Sequence, residues 1–280
     1  MITKSKRGEL DTLVIKNDTA TAEISLFGAH VLSYIPVRDR RERLWISPLT
    51  KLDQSKPIRG GIPICWPWFG DAPVQFNEIT EHLPSHGFVR SQLCELVSVR
   101  AINSGCDQIV LKPKHYPFKE LQLNLELEIV ITVSESLSIE LVTQNIGSKS
   151  AIYFAALHSY FQIDSIENVK LNGIDSEYID KTQSMKCMPA VHNYRIDSET
   201  DRIHLNDSPD IDIVTPTFTT HITSQGHDSI VVWNPWEQLS KAMHDMTDEG
   251  YKQMICIETA RTQNGTLDGK QSHTLKHIIR

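Results

Sequence analysis

Cysteine is scarce in this 280-residue chain, and it follows no pattern. The five cysteines, Cys65, Cys94, Cys106, Cys187 and Cys256, are odd in number, and no two form a CxxC pair. That excludes a disulfide framework and a zinc ribbon as expectations, and it favours reduced thiols in a cytoplasmic setting. No apolar run reaches the ~18–20 residues that a membrane helix needs. The first residues carry charge at Lys4, Lys6 and Arg7 but no apolar stretch, so they do not read as a signal peptide. Three N-glycosylation sequons, at Asn17, Asn206 and Asn264, are therefore read as chance. Positive charge is also in short supply: 28 Lys and Arg face 35 Asp and Glu, a formal net charge of −7. Acidic proteins repel phosphate backbones and anionic lipid, so neither nucleic acid nor membrane is an expected partner. The signatures G-x-S-x-G, HExxH and HxH are missing, and the glycines of Gly265–Ser272 are wrongly spaced for a phosphate loop. The sequence predicts no metal and no cofactor.

What the chain does have is alternation. From Leu121 to Val133, the side chains of Leu121, Leu123, Leu125, Leu127, Ile129, Ile131 and Val133 share one face, and Gln122, Asn124, Glu126 and Glu128 share the other. Successive side chains of a strand point to opposite faces, so this pattern predicts a half-buried strand. Ser134–Ser136 then turns the chain, and Leu137, Ile139 and Leu141 resume the period, which predicts a hairpin. Further strands are predicted at 12–16, 21–27, 31–35, 93–99, 108–112, 152–163, 230–233 and 254–259. Turn residues separate them, and no helical pattern alternates with them. The fold class predicted is all-β, a large antiparallel β-sandwich, with residues 1–280 forming a single domain. Three stretches interrupt the pattern: 57–84, rich in Pro, Gly and Trp, is expected to be a long ordered loop; 175–216 is expected to be irregular with two short strands; 236–248 is expected to hold a short helix. Long loops on a rigid scaffold are where sites usually lie.

Several residues in these segments carry chemistry. His158 falls at the end of a mostly apolar run, on the same strand face as Ala156 and Tyr160; a buried structural imidazole is the plainer alternative. Glu258 lies in Met254-Ile-Cys-Ile-Glu-Thr259, a strand apolar on both faces, where an ionised carboxylate is costly without partners. A strand-end ion pair is its plainer alternative. Arg59 precedes two glycines and Arg90 ends His86-Gly-Phe-Val-Arg90; guanidinium forks suit phosphate, and pinning its own loop is the plainer alternative for each. Trp66, Trp68, Trp233 and Trp236 offer faces for a sugar ring or anchors for a core.

Together these segments resemble the aldose 1-epimerase, or galactose mutarotase-like, family, and within it the glucose-6-phosphate 1-epimerase (hexose-6-phosphate mutarotase) branch. The resemblance rests on Arg59-Gly-Gly-Ile-Pro-Ile-Cys-Trp-Pro-Trp-Phe-Gly70, His86-Gly-Phe-Val-Arg90, Ala156-Leu-His-Ser-Tyr160, Glu199-Thr-Asp-Arg-Ile203, Val232-Trp-Asn-Pro-Trp236 and Cys256-Ile-Glu-Thr-Ala260. These blocks occur in the family's order and span nearly the whole chain. The resemblance implies the sandwich fold already read from the alternation. It implies His158 as general acid and Glu258 as general base. Arg59, His86, Arg90, Asp201 and Trp236 are implied as substrate contacts, with the arginines nearest a 6-phosphate. One position departs from the pattern: Ser85 stands where Gln is expected, and its shorter side chain cannot span the same distance.

The reaction implied is anomer exchange. A pyranose opens when its C1 hydroxyl loses a proton and its ring oxygen gains one; the aldehyde rotates about C1–C2 and recloses. A carboxylate and an imidazolium suffice for both transfers. Glu258 is expected to hold His158 in its charged form. The expectation is thus an isomerase acting as a cytoplasmic monomer on a hexose 6-phosphate. An aldose 1-epimerase for unphosphorylated sugars and a non-catalytic carbohydrate-binding protein on the same fold are the competing readings.

Overall fold

The computed structural model describes residues 1–80, 82–117, 119–205 and 208–280. The Asn206 sequon lies outside the described residues. Alternation decides most of what is seen. Leu125–Val133 buries Leu125, Leu127, Ile129, Ile131 and Val133 and leaves the residues between them exposed or half-buried. It pairs with Leu137–Asn145, and Val133 faces Leu137 across a turn in which Ser134 Oγ donates to the Ser136 carbonyl at 2.9 Å. The predicted start at Leu121 is four residues early, because Lys119–Leu121 forms a 3-10 turn.

Among the described residues, two large antiparallel sheets carry the fold. One runs, in spatial order, Lys170–Asn172, Asp210–Val214, Thr219–Gln225, Ser272–Ile279, Leu137–Asn145, Leu125–Val133, Cys106–Pro113 and Cys94–Asn103. The other runs Lys186–Met188, Tyr178–Asp180, Thr200–His204, Ser229–Asn234, Met254–Arg261, Ala155–Leu157 and Ile64–Cys65, with Tyr160–Gln162 also paired to Met254–Arg261. A four-stranded sheet formed by Ile2–Arg7, Leu10–Lys16, Ala20–Ser25 and His30–Pro36 packs into the same core. That core joins Leu127, Ile129, Ile139, Ile211 and Leu275 of the first sheet to Leu157, Val232, Ile255 and Ile257 of the second. Each such side chain stabilises the fold by about 1.5–3 kcal/mol when fully buried.

Two expectations change. The run 152–163 is not one strand but three pieces, Ala151–Ile152, Ala155–Leu157 and Tyr160–Gln162. The stretch 175–216 holds Tyr178–Asp180, Lys186–Met188, Thr200–His204 and Asp210–Val214 rather than two strands. The segment 236–248 does hold a short helix, Trp236–Ala242.

The Trp-rich loop is ordered by its own backbone. Gly61 N–H donates to the Trp45 carbonyl at 2.7 Å, and Phe88 N–H donates to the Trp66 carbonyl at 3.1 Å. Gly87 has φ +71°, and a Cβ there would lie 2.0 Å from the Trp66 carbonyl oxygen. Gly87→Ala therefore meets both a left-handed backbone and a backbone clash, and it should destabilise the fold by about 2 kcal/mol or more. A thermal melt checks this; an unchanged Tm would contradict the close approach.

Candidate active site

The second sheet has one face in the main core and the other turned outward, and its register assembles the site. Leu157 lies opposite Thr259, and Tyr160 lies opposite Cys256. Positions 158 and 258 therefore face each other across one step of the ladder. Glu258 neighbours Val231 and then Ile203 on the next strands, while Cys256 neighbours Trp233 and then Asp201. Alternate residues share a face, so His158, Tyr160, Glu258, Val231, Trp233 and Asp201 all turn outward together. The intervening Leu157, Ile255, Ile257 and Val232 enter the main core. Two small apolar clusters flank the outward face. One contains Trp45, Tyr160, Met246, Met254 and Cys256, and the other Cys65, Ala156, Ile203, Val231 and Ala260.

The chain leaves the ladder at His158 and Ser159. The His158 N–H donates to the Pro63 carbonyl at 3.0 Å, and the Ser159 N–H donates to the Leu157 carbonyl at 2.9 Å. His158 Nε2 lies 3.4 Å from Glu258 Oε1. The imidazole stacks on Tyr160, with ring centres 4.9 Å apart and planes 10° from parallel. Trp233 and His86 meet it edge-on at 6.0 and 5.9 Å. Glu258 is 1% exposed, and among the described residues no group bonds its Oε2.

His86, His158, Asp201, Val231, Trp233 and Glu258 line a cavity of about 250 Å³ together with Arg59, Phe69, Ser85, Arg90, Lys181 and Met243. A larger hollow of about 350 Å³ beside Ile152 and Phe154 holds no acid–base pair. Each cation on the rim of the site is already held. Arg59 Nε donates to Asp245 Oδ2 at 3.1 Å and Nη1 donates to the Tyr160 hydroxyl at 2.9 Å. Arg90 Nη2 donates to the Ser85 carbonyl at 2.8 Å. Lys181 Nζ pairs with Asp201 Oδ2 at 2.7 Å. His86 sits at φ +63° and accepts the Gly70 N–H on Nδ1 at 3.2 Å, which leaves Nε2 as its donor. Burial, with Arg90, Lys181 and Arg59 adding, pushes His86 down to about 3, so the ring is neutral.

Burial also dominates the central pair. It pushes His158 well below the ordinary imidazole value, and the charges of Arg90 and Arg59 push the same way. It pushes Glu258 well above the ordinary carboxyl value; Asp201 adds to this and Lys181 opposes it. Burial thus favours the neutral form of each group, against the expectation that Glu258 keeps His158 charged. His158, Cys256 and Glu258 also bring ligand-type atoms within 4.8 Å of one another. Burial and Glu258 raise the Cys256 thiol well above its usual value.

Arg59, Ser85, His86, Arg90, His158, Asp201 and Glu258 are therefore brought together. Trp236 is not among the lining residues. Its ring packs on Tyr251 at 5.2 Å, beside the main core. Trp66 and Trp68 are buried anchors, whose indole N–H groups donate to Thr143 Oγ1 and to the Pro84 carbonyl.

The sequence model of the family described as Aldose 1-epimerase matches residues 11–280. The chain belongs to the aldose 1-epimerase family. A Salmonella typhimurium protein named "Putative glucose-6-phosphate 1-epimerase" is 33% identical over 263 residues, covering 92% of this chain and 86% of that one. An Escherichia coli protein of the same name is 31% identical over 291 residues, covering 99% and 93%. The crystal structure of a Salmonella typhimurium protein described as a "putative mutarotase" superposes with a TM-score of 0.88 at 29% identity, over 99% of this chain and 92% of that one. A galactose mutarotase-like protein from Lactobacillus casei shares the fold, with a TM-score of 0.67 at 16% identity, over 96% of this chain and 99% of that one. The antiparallel sandwich and the isomerase class read from the sequence agree with these findings.

For this epimerase, sequence reading offered Trp233 as a sugar face and the structure places it in the cavity lining, but it missed Lys181, Tyr160, Phe69 and Met243 as lining or flanking residues. Tyr160 was open to discovery, since it shares a strand face with His158. Lys181 was not, because it follows a three-residue strand in a polar stretch with no visible period.

Proposed function

We propose that this epimerase interconverts the α and β anomers of glucose 6-phosphate, with Glu258 as base and His158 as acid. The observation that carries the reading is the acid–base pair at 3.4 Å in a cavity rimmed by Arg59, Arg90 and Lys181. Three cations in a protein of net charge −7 call for an anionic ligand. Glu258 takes the C1 hydroxyl proton while His158 protonates the ring oxygen, and the C1–O5 bond breaks. The aldehyde turns about C1–C2, and O5 attacks the other face of C1. His158 recovers its proton from O5, and Glu258 returns one to the new C1 hydroxyl oxygen. Proton number is conserved: one proton moves between carboxyl and imidazole as the ring opens and moves back as it closes.

Phosphate has a second effect on this scheme. Arg59 and Arg90 help to hold His158 neutral. A bound dianion offsets those charges and shifts the shared proton toward the imidazole, the acid form needed for ring opening. The substrate thus helps to charge its own acid, which free glucose does not do. His86 and Asp201 are assigned to the sugar hydroxyls. Ser85 holds Arg90 through its carbonyl, consistent with a side chain too short to reach the sugar. We read the enzyme as a monomer built as one unit over residues 1–280; five unpaired thiols support a cytoplasmic setting, and the net charge of −7 disfavours nucleic acid and membrane as partners.

Anomer exchange in glucose 6-phosphate, followed by NMR saturation transfer, tests the activity. Absence of acceleration over buffer refutes it. Arg59→Ala and Arg90→Ala test the phosphate assignment. Each removes a charge-assisted contact worth about 1.5–3 kcal/mol and should lower kcat/KM for glucose 6-phosphate about tenfold or more. Equal losses on free glucose would instead favour an epimerase for unphosphorylated aldoses.

A further inference from the structure

Behind the site, on the core side of the same sheet, lies a polar group that the proton transfers do not use. His277 sits within Ser272–Ile279 of the opposing sheet and is fully buried. Its Nδ1 lies 2.5 Å from Thr259 Oγ1, and its Nε2 lies 3.3 Å from Ser159 Oγ. Thr259 Oγ1 lies 2.6 Å from Ser224 Oγ, and Ser159 Oγ donates to the Leu157 carbonyl at 3.4 Å. Burial pushes His277 down to about 3, so the ring is neutral, with one donor and one acceptor. A proton on Nε2 satisfies the whole chain in one direction. Ser224 donates to Thr259, Thr259 donates to Nδ1, Nε2–H donates to Ser159, and Ser159 donates to the Leu157 carbonyl.

Ser159 follows His158, and Thr259 follows Glu258. One imidazole therefore ties the residue after the acid to the residue after the base. It does so where the backbone leaves the ladder between Leu157 and Tyr160. Backbone bonds span that break, His158 N–H to the Pro63 carbonyl at 3.0 Å and Ile257 N–H to the Ser159 carbonyl at 3.2 Å, and the His277 bonds add a side-chain link between the same two strands on the core side. Ile139 is a cross-strand partner of His277 and the Phe161 ring lies 6.0 Å away, while the His227 imidazole is near enough to add to the effect of burial. A polar side chain in such a place is costly unless all its bonds are made, and here they are made to these two residues.

We propose that His277 is a positioning residue for anomer exchange. It clamps Ser159 to Thr259 from the core side and thereby sets the spacing of His158 and Glu258 on the cavity side. It touches neither substrate nor the transferred protons. Misplacement of a reacting group by about 1 Å can cost as much as 10²-fold in rate, whereas the arginines and Lys181 are held by other partners. The signature is therefore a loss of kcat with KM preserved.

The proposal rests on the mutarotase reading, so wild-type protein is measured first. No exchange of glucose 6-phosphate anomers by the wild type would sink that reading rather than this one. Given wild-type exchange, His277→Phe should lower kcat about tenfold or more while KM stays within about twofold. Ser159→Ala should lower kcat in the same way, and the double variant should be no worse than His277→Phe alone, because both remove one linkage. Circular dichroism and a thermal melt fix the folded fraction. A purely structural His277 would lower Tm and leave the kcat of the folded enzyme intact, and that outcome overturns the proposal. If His277→Phe does not fold, Ser159→Ala and Thr259→Val decide, and wild-type kcat in both overturns it equally.

Discussion

Glu258→Gln should reduce kcat for glucose 6-phosphate anomer exchange by about 10³-fold, within the 10²–10⁴ range of a positioned acid or base, without unfolding the protein. Gln has the shape of the protonated carboxyl, the form that burial favours at this position. The backbone bonds of Met254–Arg261 to its neighbours are untouched. The amide can donate to His158 Nε2 across the present 3.4 Å, so the pair keeps its spacing. What is lost is the ability to accept the C1 hydroxyl proton. Removing a buried titratable group also removes its desolvation cost, so Tm should hold or rise. Saturation-transfer NMR at several enzyme concentrations gives the rate, and calorimetry gives the stability. A rate within tenfold of wild type in folded Gln variant would remove Glu258 from the proton path and leave His158 without its counterpart.

His158→Asn should be nearly as damaging, with a loss of about 10²–10³-fold, because no other described lining residue can protonate the ring oxygen from the same side. His86 is the nearest imidazole, but its Nδ1 is engaged by the Gly70 N–H and burial keeps it neutral at about 3. The wild-type pH profile carries a linked expectation. Activity requires one proton shared by His158 and Glu258. It falls on the acid side when the pair gains a second proton. That limb lies well below 6.5, because burial pushes the imidazole down. It falls on the alkaline side when the single proton is lost. That limb lies well above 4.5, because burial pushes the carboxyl up. Both limbs belong to the pair and not to either residue. The result is a broad plateau through neutrality in kcat/KM, which reports the free enzyme, read above the phosphate ionisation at about 6. A narrow peak with an acid limb at the ordinary imidazole value would show that His158 titrates alone.

How far the sequence reached depends on which residues carried the pattern. Leu125–Val133 was legible because leucine and isoleucine alternate there with charged residues. Ser272–Ile279 was not, although it lies at the middle of its sheet, because His277 occupies a core position and reads as polar. The identity of Glu258 as an unusual carboxylate was visible, since the strand around it is apolar on both faces. Its nearness to His158 came only from the family resemblance, because nothing local specifies pairing between Ala155–Gln162 and Met254–Arg261. Trp236 shows the opposite failure: an aromatic in a matching motif read as a sugar platform, while the structure seats its ring on Tyr251. Lys181 became visible only once Tyr178–Asp180 was seen beside Thr200–His204.

The cross-strand placement of residues 158 and 258 carries a constraint on how this chain can change. Side chains in a ladder alternate with a period of two, so a slip of one residue in either strand would turn one of the two groups into the hydrocarbon interior while its counterpart stayed outside. Insertions and deletions between them are therefore tolerable only where they leave that alignment intact, in the irregular segments that join the strands. Sequence length can drift there freely, while the two reactive positions stay locked in step.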